Sequence, residues 1–160
     1  MNSRRTFLGL AGAGALGALF LGRPGPARAV RYPVQHNPAE WRRLLGPQRF
    51  HILREAGTER PFTSPLLREH RRGTFVCAGC GRPLFAAATK FESGTGWPSF
   101  YRALPNAVTE RSDHSFLMDR TEVLCSRCGG HLGHVFHDGP KPTGLRYCIN
   151  GLALKFAPAA

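Results

Sequence analysis

Two short cysteine turns constrain this chain more than any other feature. Cys77-Ala78-Gly79-Cys80-Gly81 and Cys125-Ser126-Arg127-Cys128-Gly129-Gly130 are both C-x-x-C followed by glycine. That spacing lets two thiolates of one tight turn converge on one metal ion. Two such turns supply the four soft ligands of a tetrahedral structural zinc site. Cys77, Cys80, Cys125 and Cys128 are therefore the expected ligands of one Zn2+. The stretch between the turns exceeds the roughly 15 to 20 residues of a compact zinc ribbon, so the ion would tie together distant parts of one domain. Disulfide or redox chemistry is the competing reading, but a redox C-x-x-C belongs in a βαβ context, and none is visible here.

The rest of the chain predicts a mostly antiparallel β domain with a helical lead-in. Asn37-Pro38-Ala39-Glu40 reads as an N-cap, a proline at the first helical position and a capping-box acid. Trp41, Leu44 and Leu45 then follow at i, i+3, i+4, giving a short amphipathic helix. A second short helix starts at Pro47, carries Phe50, Ile52 and Leu53, and ends at Gly57. From Gly73 onward the segments are short, β-branched or aromatic, and broken by Gly, Pro or Asp. Expected strands are Thr74–Val76, Pro83–Phe85, Phe116–Met118, Thr121–Leu124, His131–Phe136, Leu145–Asn150 and Ala153–Phe156.

The first 29 residues read as an export leader. MNSRR is followed by the uncharged, glycine-rich TFLGLAGAGALGALFLG, and Ala27 and Ala29 form an A-x-A site. The adjacent Arg4 and Arg5, the weakly apolar middle and Arg28 near the cleavage site give it a twin-arginine character. Residues 30–160 would then be the mature domain, exported to a periplasm, with no stable membrane span after cleavage. An uncleaved anchor is the alternative. Losing the leader removes four arginines and no acids, which lowers the formal net charge from +12 to +8. The remaining basic residues are scattered apart from Arg68, Arg71 and Arg72, which fits a solvated surface rather than a nucleic-acid interface. No oligomer signal is evident, and a monomer is expected.

Five cysteines minus four metal ligands leave Cys148, in the segment LRYCING. Strand alternation places Arg146, Cys148 and Asn150 on one face, with Tyr147 and Ile149 on the other. A nearby cation favours the thiolate, which is the nucleophile. Upstream, GGHLGHVFHDGP offers His131 and His134 as proton carriers suited to neutral pH. A regular strand would point these two rings to opposite faces, but Gly130 and Gly133 could support a bulge that brings them together. In GTGWPSF, two glycines and Pro98 fix one large ring, Trp97.

GTERPFTSPLL, KFESGTGWPSFY, CSRCGGHLGHVFHDGP and PTGLRYCINGLALKF together closely resemble the methionine sulfoxide reductase B family, from about Pro38 to Phe156. The resemblance implies two packed antiparallel sheets with a structural zinc. It also implies reduction of the R epimer of methionine sulfoxide, chiefly within oxidised proteins. Carried over residue by residue, it makes Cys148 the thiolate that attacks the sulfoxide sulfur, and His134, with His131, the proton source. Arg146 lowers the thiol pKa, Asn150 orients the site, and Trp97 packs on the substrate S-methyl group. Many relatives keep a second, resolving cysteine where this chain has Thr95. Recycling of a Cys148 sulfenic acid would then fall to an external thiol, thioredoxin-like or small. A zinc-binding interaction module and a single-cysteine thiol peroxidase are the readings from other classes.

Overall fold

The structure, a computed structural model, describes residues 31–160 except Phe116 and Leu117. The expected leader and most of the expected strand Phe116–Met118 lie outside the described residues. Among the described residues no helix is long and apolar enough to cross a membrane.

The lead-in is α1, Pro38–Glu55, which is two helical segments joined at Gly46, where φ is 69° and ψ 170°. Pro47 follows that break because proline cannot donate into a continuous helix. The capping box forms as expected: the Asn37 side chain accepts from the Glu40 N–H, and the Asn37 N–H donates to the Glu40 carboxylate. The helix closes one residue earlier than expected, on Ala56 in the left-handed conformation. Gly57 serves instead as the close-approach residue, because a Cβ there would collide with the His51 ring.

The β domain is two antiparallel sheets. The small sheet comprises β1 (Gly73–Cys77), β2 (Pro83–Ala86) and β9 (Leu154–Pro158), in the order β2-β1-β9. The large sheet contains β3 (Lys90–Phe91), β4 (Ser99–Phe100), β5 (Val108–Asp113), β6 (Arg120–Cys125), β7 (His131–Phe136) and β8 (Arg146–Ile149), in the order β3-β4-β8-β7-β6-β5. Three of these strands were not expected. β3 and β4 are two residues each, and β5 is the polar sequence VTERSD, which carries no apolar alternation. Its strand form comes from the full-length ladder it makes with β6, from Val108↔Cys125 to Asp113↔Arg120.

The sheets meet through aromatic side chains. Phe100 of β4 stacks on Phe85 of β2 at 4.4 Å between ring centroids and meets Phe75 of β1 edge-on at 4.9 Å. All three are fully buried, along with Leu132, Ile149 and Leu154. Each such side chain removed from water contributes about 1.5–3 kcal/mol.

Candidate active site and cysteine cluster

The four knuckle cysteines converge. Their sulfurs all lie within 4.8 Å of one another, with Cys77 and Cys128 3.7 Å apart and Cys80 and Cys125 3.5 Å apart. Each turn is closed by a backbone bond, Gly81 N–H to the Cys77 carbonyl and Gly129 N–H to the Cys125 carbonyl. Four sulfurs each at about 2.3 Å from one tetrahedral zinc would stand about 3.8 Å apart. A disulfide would need about 2.05 Å. The donor set and its spacing therefore fit a metal centre. One knuckle leaves the small sheet at the end of β1 and the other leaves the large sheet at the end of β6, so the cluster joins the two sheets.

On the large sheet, pairing sets a row of polar side chains. Ser99 of β4 stands opposite Cys148 of β8, Cys148 opposite His134 of β7, and His134 opposite Glu122 of β6. The β7–β6 register jumps between Val123↔Gly133 and Leu124↔His131, which leaves Leu132 as an extra, fully buried residue. That bulge brings the His131 and His134 rings to the same side, 5.5 Å apart. Gly133 permits the close crossing, because a Cβ there would run into the Cys148 carbonyl.

Each imidazole faces a carboxylate. His134 Nε2 is 2.8 Å from Asp113 Oδ2, and His131 Nδ1 is 2.7 Å from Glu122 Oε1. Each carboxylate also accepts from an arginine, Arg120 on Asp113 and Arg111 on Glu122. The Ser115 hydroxyl and N–H, then His134, hold Asp113 well below the usual carboxylate range. Burial lowers the His131 pKa against the opposing pull of Glu122. His131 Nε2 is buried and has no hydrogen-bond partner among the described residues.

A cavity of about 140 Å³ opens on this row, lined by Thr58, Trp97, Arg120, His134, Phe136, Cys148 and Asn150. Of the residues expected at the site, Cys148, His134, Asn150 and Trp97 line the cavity, while His131 and Arg146 flank it. Arg146 makes a paired contact with Asp138, at 2.8 and 2.7 Å, and its guanidinium lies over the Phe136 ring. Burial pushes the Cys148 thiol above its ordinary range. The Thr95 hydroxyl, then Arg146, then Ser99 pull it back. Burial outweighs these three influences, Arg146 among them, so the thiol stays above its ordinary range.

Thr95 Oγ1 is 3.7 Å from Cys148 Sγ and belongs to a hydroxyl chain that runs through Ser93 to Ser99, with links of 2.8 and 2.7 Å. The Trp97 indole N–H donates to the Glu59 carbonyl at 3.1 Å. Asn150 Oδ1 accepts from the Glu59 N–H, and its Nδ2 donates to the Leu132 carbonyl. Asp113, Glu122, Thr58 and Phe136 escaped the sequence reading. The two acids lie in strands whose pairing alone shows which histidine each meets, and no local pattern marks them.

The SelR domain family matches residues 45–158. A peptide methionine sulfoxide reductase MsrB of Thiobacillus denitrificans is 60% identical over 121 residues, covering 75% of this chain and 92% of that one. A protein of the same name from Agrobacterium fabrum is 55% identical, covering 78% and 93%. Another, from Leptospira interrogans, is 53% identical, covering 79% and 98%.

Proposed function

Because the chain belongs to the SelR-domain family of peptide methionine sulfoxide reductases, we propose that it reduces methionine-R-sulfoxide in oxidised proteins through Cys148. The observation that carries this reading is the direct β7–β8 pairing of His134 with Cys148 on a cavity walled by Trp97. Sulfoxide oxygen leaves only when protonated, so a nucleophile and an acid are needed together. The Cys148 thiolate attacks the substrate sulfur while His134 delivers a proton to the oxygen. Asp113, bound at His134 Nε2, holds the ring in place for this delivery. Trp97 packs on the S-methyl group, a favourable sulfur–aromatic contact. Arg146 and the Thr95 hydroxyl favour the thiolate, and Asn150 orients the segment that carries it.

Transfer of the oxygen leaves methionine and a Cys148 sulfenic acid; the substrate sulfur gains two electrons and the cysteine sulfur loses them. Two external thiols complete the cycle. The first attacks the Cys148 sulfur and releases water, and the second frees the Cys148 thiol and leaves a disulfide between the reductants. Thr95 stands where a resolving cysteine would act, so the reductant comes from outside the chain, from a thioredoxin-like protein or a small thiol.

Cys77, Cys80, Cys125 and Cys128 would hold one structural zinc. When bound, the ion closes the two knuckles on each other and adds directly to folding stability. Residues 1–29 would serve as a twin-arginine leader and residues 30–160 as the exported, monomeric enzyme, acting on oxidised periplasmic proteins. Export after folding would let the thiols take up zinc before they meet an oxidising compartment.

Turnover of the two methionine sulfoxide epimers with dithiothreitol tests the activity. The R epimer should react and the S epimer should not, and Cys148→Ser should abolish turnover. Turnover of hydrogen peroxide in place of sulfoxide would favour a thiol peroxidase. Absence of both activities would leave an interaction module.

A further inference from the structure

Glu59 is a buried acid outside the cysteine and histidine constellation, only 8% exposed. Every polar group it has is engaged, either by Trp97 or by the Asn150–Leu152 segment. Its N–H donates to Asn150 Oδ1 at 2.9 Å, and its carbonyl accepts the Trp97 indole N–H at 3.1 Å. Its carboxylate accepts from the Gly151 N–H and from the Leu152 N–H, the latter at 3.0 Å. Those partners lie 38 and 91 to 93 residues away in sequence. Asn150 and Gly151 directly follow the end of β8, two and three residues after Cys148. Thr58, which lines the cavity, directly precedes Glu59.

A buried carboxylate is a poor choice for stability alone, because taking its charge out of water costs more than an apolar side chain of the same size would. Burial raises the Glu59 pKa, and the two backbone N–H groups oppose that rise. The local chain is shaped around the contact. Gly151 comes so close that a Cβ there would collide with the Ser64 hydroxyl and stand 3.2 Å from Glu59 Oε1. A side chain at position 151 would push the two segments apart.

We infer that Glu59 is the positioning residue of the cavity, fixing the Trp97 ring and the Asn150–Leu152 segment at the separation that admits a methyl sulfoxide beside Cys148. This rests on the reductase reading above. Glu59 touches neither the reacting sulfur nor its oxygen. It acts through Trp97 and Asn150, on substrate fit rather than on the proton or the thiolate.

The test compares wild type with Glu59→Gln and Gly151→Ala, using a peptide methionine-R-sulfoxide and dithiothreitol. Glu59→Gln keeps the size but loses the second acceptor oxygen and the charge. KM should rise about tenfold or more, while kcat changes by less than about threefold. Iodoacetamide should alkylate Cys148 with an unchanged pH profile. Trp97 should become more accessible to acrylamide quenching, whereas buried Trp41 gives a constant background in all three proteins. Gly151→Ala, which leaves the carboxylate in place but displaces it, should reproduce the KM rise and decides the matter if Glu59→Gln does not fold. Wild-type KM and quenching in the folded variants would overturn the inference, as would a loss confined to kcat. Lack of turnover by the wild type itself would instead overturn the reductase reading.

Discussion

Thr95 Oγ1 and Cys148 Sγ lie 3.7 Å apart, across the gap between the β3–β4 loop and β8. This is the distance of a hydroxyl that stabilises a thiolate, and it brings the two side chains near enough for a disulfide were the threonine a cysteine. Thr95→Cys should therefore form an intramolecular disulfide after one equivalent of substrate, seen as the loss of two thiols on counting. In wild type the same assay should show one oxidised thiol and no internal disulfide. A disulfide in wild type would mean that a knuckle cysteine resolves the intermediate.

Removal of the hydroxyl should move the thiol in one direction. Burial already holds Cys148 high, and Thr95 is the largest influence pulling it down. Alkylation of the substrate-free enzyme should rise with pH through a midpoint above the ordinary thiol value of about 8.5. Thr95→Val should shift that midpoint higher still. An unchanged midpoint would remove Thr95 from the thiolate environment.

The His134–Asp113 pair separates the acid from the nucleophile. His134→Ala should lower kcat by about 10²–10⁴-fold yet leave Cys148 open to iodoacetamide. Asp113→Asn should give a smaller loss in the same direction. Full activity in His134→Ala, measured over a pH series, would assign proton delivery elsewhere.

His131 predicts a stability effect. Burial lowers its pKa below the usual 6.5, so the unfolded chain binds this proton more readily than the folded one. The stability that neutral His131 contributes is present above that value and is lost as pH falls below it. Between about pH 6.5 and pH 5, the wild-type Tm should fall more steeply than that of His131→Gln. Parallel curves would show that His131 does not contribute to the acid limb.

For the cysteine cluster, metal analysis of purified protein should find zinc at one per chain. Cys77→Ser should lose the metal and destabilise the fold by about 3 kcal/mol or more. Recovery of the four thiols as two disulfides, without metal, would refute the zinc assignment.

The sequence was enough for features carried by local spacing. The paired knuckles, the Asn37 cap and the β8 alternation that puts Cys148 beside Arg146 all depend on residues a few positions apart. The polar strand β5 was invisible because its residues have no apolar period, and it becomes a strand only through its partner β6. Whether His131 and His134 share a face was left open by their spacing. The bulge at Leu132 decided it, since one unpaired residue reverses the alternation. Asp113, Glu122 and Glu59 gain their partners from pairing register and loop packing over distances of 9 to 93 residues. Sequence determined which groups the chemistry has available, because residue type and short spacing fix what a side chain can do. Tertiary structure decided which groups meet, because contacts between distant segments depend on how the two sheets pair and pack.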